Sequence, residues 1–223
     1  MMKAVLDKLE AGLRGSESIL DAGVGTGRFA GPLRERGLDV VGIDVSKAML
    51  AEAKKKNTPD LVRGELTAMP FVDGAFDSCL MVHVLHLVES PAKLLAEIAR
   101  VCSGNVFSLA ETSDYVSVRE NYIRLLSAKG YRWGDLSEQK LTLRLPPDEE
   151  KEVISYQVER AADDDIDYFN RRMSAVTWDV PDTEHLQIIE GLRRKLGGRT
   201  FRFTTTVRLV GWKSEHLANP GLA

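Results

Sequence analysis

Two cysteines, Cys79 and Cys102, are all that the 223 residues contain. Both stand in apolar stretches, which reads as buried thiols and excludes a disulfide framework. Histidine is almost as scarce, with four residues. His83 and His86 have no partners at metal-ligand spacing, so no metal site is expected. No apolar run approaches the roughly 20 residues that cross a bilayer. The N-terminal stretch also lacks the charged, apolar and cleavage regions of a secretory leader. A cytoplasmic protein without a membrane partner is the expectation. Neither sign of charge dominates: 30 basic and 33 acidic residues give a net charge of −3, which supplies no general attraction to nucleic acid. The chain has no internal repeats and no low-complexity segments. It also has no Gly-x-Ser-x-Gly elbow and no Cys–His arrangement for covalent chemistry.

What is present is a dense glycine cluster in residues 19–30, ILDAGVGTGRFA. Ile19 and Leu20 read as the end of a buried strand that Asp21 closes. Gly23, Gly25 and Gly27 then make a turn whose backbone can approach a ligand closely, because no Cβ intervenes. A helix starting at Thr26 would point its amide groups at the same place. Downstream, Val40–Asp44 reads as a second buried strand ending in a carboxylate. Read as Gly25-x-Gly27-x-x-Ala30 with Asp44, the stretch fits a loose dinucleotide fingerprint.

The rest of the first half alternates strand and helix. An amphipathic helix covers residues 2–14. Strands follow at 19–21, 40–44, 61–63, 77–82 and 105–111, with helices at 28–36, 47–56 and 91–101. That rhythm predicts a doubly wound, Rossmann-like parallel sheet. From Thr112 the pattern changes: helices are read over 116–129, 163–173 and 183–196, and strands over 153–160 and 201–212. Residues 140–145 read as a strand or an extended loop. The expected fold is α/β, a mostly parallel sheet with a terminal antiparallel strand plus a helical cover. The chain reads as one domain over 1–223, with cover insertions in 112–198.

Read as Asp21-x-Gly23-x-Gly25-Thr26-Gly27, the cluster resembles the first motif of the class I S-adenosylmethionine-dependent methyltransferases of small-molecule type. This reading uses every glycine and accounts for Asp21, which suits a cationic ligand and not a pyrophosphate. The resemblance covers roughly residues 15–112. It implies S-adenosyl-L-methionine as cofactor, with S-adenosyl-L-homocysteine as product, and a cofactor-binding set of Asp21, Gly23, Val24, Gly25, Gly27, Asp44, Val45, Glu65, Leu66 and Val82. The glycine turn would hold the methionine portion and Asp44 the ribose hydroxyls. Val45 would pack on the adenine, Glu65 or the Leu66 amide would take its amino group, and the backbone around Val82 would meet the methionine amine. Asp77, at the start of the fourth strand, reads as a residue that ties the strand down.

Methyl transfer is an in-line displacement that needs alignment and the exclusion of water, and a base only where the acceptor must first lose a proton. His83 and His86 are the candidates for such a base. A small-molecule acceptor is expected, with Tyr115, Trp133 and Trp178 as candidate contacts. No Asp-Pro-Pro-Tyr or Asn-Pro-Pro-Tyr follows the fourth strand, which argues against base-amine methylation. Arg193-Arg194-Lys195 with Arg199 is the one compact basic patch, read as a solvated helix face. Three alternatives stay open at this point: a regulator that binds S-adenosylmethionine without turnover, an NAD(P)-dependent oxidoreductase, and an RNA or DNA methyltransferase.

Overall fold

The structure is a computed structural model that describes residues 2–56, 60–113, 117–131 and 137–219. Helix α1 (Met2–Gly12) buries Val5, Leu6 and Leu9, residues that share one face of a helix. Strand β1 (Ile19–Ala22) is buried throughout and leads through the glycine turn into α2 (Ala30–Glu35). Next come β2 (Val40–Asp44), α3 (Lys47–Lys55) and β3 (Leu61–Arg63). Ser46 caps α3 by accepting from the Met49 amide. The alternation continues with β4 (Phe76–Leu80), α4 (Pro91–Val101) and β5 (Cys102–Ser113). The second half adds α5 (Val118–Ala128), α6 (Glu138–Arg144), β6 (Glu149–Ala161), α7 (Ala162–Asn170), α8 (Asp182–Leu196), β7 (Thr200–Lys213) and α9 (Ser214–Leu217).

Seven strands form one sheet in the order β3-β2-β1-β4-β5-β7-β6. The first five in that order pair in parallel. The outer two are antiparallel to each other. Ser155 bonds Thr206, Gln157 bonds Thr204 and Glu159 bonds Arg202, stepping forward on one strand and backward on the other. Chain order reverses at β1: the chain winds outward to β3, then returns to place β4 on the other side of β1. In open parallel sheets such a reversal leaves a crevice beyond the carboxyl ends of the strands.

The chain forms two compact units. The first comprises residues 1–111, 136–154 and 207–223. Alternate strand residues, among them Leu20, Ala22, Ile43, Cys79 and Val106, pack there with Met81 just past β4, Leu94, Leu95 and Ile98 of α4 and Leu141 of α6. The second unit comprises 112–135 and 155–206. Its core joins Val118, Tyr122 and Leu126 to Ile166, Phe169, Ile188, Ile189 and Leu192. Asp77 accepts from the Glu17 and Ser18 amides at 2.8 and 2.9 Å, tying β4 to the approach of β1. Those backbone donors hold its carboxyl below the usual range.

Two local readings change. Residues 138–144 are helical, not extended. Leu141 is fully buried and Leu145 packs on the same cluster, a four-residue spacing that a helix satisfies. Ser137 adds an N-cap by accepting from the Lys140 amide. The helix after the glycine turn begins at Ala30, without a side-chain cap, so residues 26–29 belong to the turn.

Candidate functional site

The chain leaving β1 is stitched to the end of β2. The Gly23 and Val24 amides both donate to the Ile43 carbonyl, at 2.9 and 3.0 Å. The Val24 side chain then lies on Gly42, where a Cβ would come within 2.7 Å of it. The Gly25 amide donates to Asp44 Oδ2 at 3.0 Å, and the Ser46 amide donates to Oδ1 at 2.8 Å. The Gly27 amide closes the turn on the Val24 carbonyl at 2.9 Å. A single carboxylate thus braces both the turn and the start of α3. A carboxylate has about four acceptor positions, so Asp44 keeps capacity for a ligand's hydroxyl groups.

Gly23 and Gly25 have φ of +80° and +53°, in the left-handed region that a Cβ disfavours. At Gly23 there is also a wall: an added Cβ would meet Val84 Cγ2 at 2.8 Å and Leu66 Cδ1 at 3.7 Å. At Gly25 an added Cβ would find only the Gly23 carbonyl oxygen, at 3.9 Å. The space beside Gly25 is open, as a ligand resting on the turn requires.

Asp21 is 3 % exposed. Burial pushes its carboxyl up to about 7; the Ala30 amide opposes that rise and the nearby charge of Asp44 adds to it. A buried acid poised in this way is stabilised in its charged form by an approaching cation. Val45 follows β2 with half its surface exposed, as a face for a flat ring would be, and its carbonyl accepts from Arg63 Nε at 3.1 Å. Glu65 is exposed beyond β3, and Val82 is buried beyond β4. The contacts therefore bring Asp21, Gly23, Val24, Gly25, Gly27, Asp44 and Leu66 together. Val45, Glu65 and Val82 stand just past the ends of neighbouring strands.

After β4 the chain makes a tight turn that the sequence did not reveal. His83 has φ +57°, and its Nε2 lies 3.8 Å from Glu111 Oε1 on the adjacent strand β5. His86 is half-buried in a 3₁₀ turn, Leu85–Leu87. Glu138 of α6 is 4 % exposed and accepts from the Val84 amide at 2.9 Å and the Leu85 amide at 3.4 Å. Neither partner of Glu138 could be read from spacing, because 54 and 53 residues separate them.

Tyr115 and Trp133 lie outside the described residues. Trp178 is 64 % exposed, and its indole N–H donates to the Arg172 carbonyl at 2.9 Å. Tyr122 is buried and shares a 2.6 Å hydrogen bond with His185 Nδ1; its hydroxyl is pushed up to about 12 by burial. In the basic patch, Arg193 pairs with Asp167 at 3.0 Å and Lys195 donates to Asn121 at 2.9 Å. Both cysteines are buried free thiols. Burial pushes Cys79 well up and Cys102 to about 11, so neither supplies a thiolate near neutral pH. Among the described residues no three His, Cys, Asp or Glu side chains gather as a metal site. No helix among them is long and apolar enough to cross a membrane.

A family model described as a methyltransferase domain matches residues 20–107, the stretch that holds the glycine turn and the first five strands almost entirely. The demethylmenaquinone methyltransferase of Renibacterium salmoninarum is 38% identical over 99 residues, 44% of this chain and 42% of that protein. The malonyl-[acyl-carrier protein] O-methyltransferase of Pectobacterium atrosepticum is 32% identical over 98 residues, 43% of this chain and 39% of that protein. The chain therefore spans about two-fifths of the length of these curated relatives. A crystal structure of a protein from Bacillus halodurans assigned as a methyltransferase superposes with a TM-score of 0.62 at 20% identity, covering 95% of this chain and 97% of that one. The geranyl diphosphate C-methyltransferase of Streptomyces coelicolor, solved with S-adenosyl-L-homocysteine, gives a TM-score of 0.54 at 16% identity, covering 95% and 79%. At such identities the structural likeness concerns the fold, while the family match concerns the glycine turn itself. Residues 20–107 are thus similar to a methyltransferase domain, set in a sheet whose fold is that of the solved methyltransferases.

Proposed function

We propose that the chain transfers a methyl group from S-adenosyl-L-methionine to a small-molecule acceptor, mainly by aligning the two and excluding water. The observation that carries this reading is the Gly23–Gly27 turn, braced by Asp44 and open beside Gly25. When bound, the cofactor supplies an activated methyl group on a positively charged sulfur. The turn receives the methionine portion, with the buried Asp21 carboxylate favouring its positive charge. The remaining lone pairs of Asp44 accept from the ribose hydroxyls. Val45 faces the adenine, Glu65 or the Leu66 amide takes its amino group, and the backbone near Val82 meets the methionine amine. Acceptor contacts come from residues 112–198, with Tyr115, Trp133 and Trp178 as candidates. The names of the relatives, a demethylmenaquinone methyltransferase and a malonyl-[acyl-carrier protein] O-methyltransferase, support an organic acceptor, and Arg193 of the basic patch is already paired with Asp167.

Calorimetry tests the reading. S-adenosyl-L-homocysteine should bind, and NAD⁺ and NADP⁺ should bind far more weakly. Tight dinucleotide binding without a response to S-adenosyl-L-homocysteine overturns it.

A further inference from the structure

The turn after β4 combines three features that packing alone does not explain. His83 adopts a left-handed backbone at φ +57°, a conformation that a residue with a Cβ holds only when its surroundings enforce it. Glu138 places a buried carboxylate on the next two amides, Val84 and Leu85. Val84 in turn packs where Gly23 lacks a Cβ. His83 is therefore one residue from a direct contact with the glycine turn, at the reversal between β1 and β4. Its own ring remains partly open to solvent and faces Glu111 across the neighbouring strand end, at 3.8 Å.

We propose that His83 is the general base of methyl transfer, with Glu111 and Glu138 as positioning residues, and that the acceptor is a protic O–H, N–H or C–H acid. The inference rests on the cofactor reading above. At 3.8 Å the contact with Glu111 is a charge interaction and not a hydrogen bond, so Glu111 acts by favouring positive charge on the ring. With Nε2 turned toward Glu111, Nδ1 is the nitrogen that takes the acceptor's proton. The electron pair freed on the acceptor forms the bond to the methyl carbon. The pair of the breaking sulfur–carbon bond stays on sulfur, leaving that sulfur neutral. The imidazolium formed beside Glu111 then releases its proton to solvent. A positioned base of this kind contributes about 10²–10⁴-fold.

The test needs no acceptor. Imidazole NMR on the full chain follows the four histidines, with the His83 signal assigned by its loss in His83→Gln. Two probes are used: S-adenosyl-L-homocysteine, neutral at sulfur, and sinefungin, which carries an ammonium where the methylated sulfur stands. Calorimetry first establishes that each binds. If His83 faces the transferring methyl, its titration midpoint is lower with sinefungin than with S-adenosyl-L-homocysteine by about 0.5–1 unit, the effect of a unit charge several ångströms away. His83→Gln leaves S-adenosyl-L-homocysteine affinity within about twofold, since an imidazole on the acceptor side adds little to ground-state cofactor binding. If both probes bind and the His83 midpoint is the same with each, His83 is not at the reacting centre and the proposal is overturned. If neither probe binds, the cofactor reading itself fails, and this proposal with it.

Discussion

The Asp44 carboxylate holds the Gly25 amide at 3.0 Å, so the residue proposed to grip the ribose also shapes the turn proposed to cradle the methionine. Affinity and local order are consequently coupled at this position. Asp44→Ala should weaken S-adenosyl-L-homocysteine binding about 10–100-fold, from the loss of about 1.5–3 kcal/mol of charge-assisted contact. It should also speed hydrogen exchange at the Gly25 amide. Asp44→Asn retains one carbonyl acceptor and should fall between wild type and Ala on both measures. Unchanged affinity in a folded Ala variant would show that the ribose lies elsewhere.

Asp21 gives a pH signature. Its carboxyl rises from 3.8 to about 7 on folding, so the folded chain holds a proton there that the unfolded chain has lost. The site costs nothing below the unfolded value. Stability falls as pH rises through that window, and the loss levels off above about 7. Asp21→Asn removes the penalty. Between pH 5 and pH 8 the variant should gain about 3 kcal/mol of stability on the wild type, at about 1.4 kcal/mol per unit. It should also lose the tightening of sinefungin binding that ionised Asp21 supplies as pH rises through 7. Denaturation and calorimetry across pH check both signs; parallel stability profiles would refute the buried-acid account.

Glu138 separates shape from charge. Glu138→Ala leaves the buried Val84 and Leu85 amides without their acceptor, a cost of about 1–3 kcal/mol each. The melting temperature should fall by roughly 4–24 °C, with faster exchange at those two amides. Glu138→Gln keeps an acceptor oxygen and should recover at least half of the loss. Equal damage from Ala and Gln would mean that the turn depends on the charge and not on the hydrogen bonds.

The parts of the site legible in the sequence are those where structure follows covalent spacing. Asp21, the three glycines and Asp44 are joined by one β–turn–α–β passage, and strand alternation carried the order of the first five strands. What escaped is what tertiary packing decides. Glu138 reaches Val84, and His83 meets Glu111, only because β1, β4 and β5 are neighbours and α6 docks beside them; no periodicity encodes that adjacency. Residues 140–145 misled for a related reason. Their apolar alternation looks like a strand, but Leu141 and Leu145 are the pair that the core selects.

Gly25 and Gly23 offer the sharpest contrast, because the same substitution meets opposite surroundings. Gly25→Ala places a methyl group in open space at φ +53°. The backbone strain costs about 1–2 kcal/mol, which lowers the melting temperature by roughly 2–8 °C. If the methionine portion of the cofactor rests on that turn, the same methyl group occupies its place, and S-adenosyl-L-homocysteine affinity should drop at least about tenfold, or roughly 1.4 kcal/mol. Gly23→Ala instead drives a Cβ to 2.8 Å from Val84. That clash should destabilise the free protein more than Gly25→Ala does, and it should disturb the His83 signal through the Val84 turn. Thermal denaturation with calorimetry on both variants decides the matter. A Gly25→Ala protein that is folded and binds S-adenosyl-L-homocysteine as tightly as wild type would remove the turn from the binding site, however well its geometry suits one.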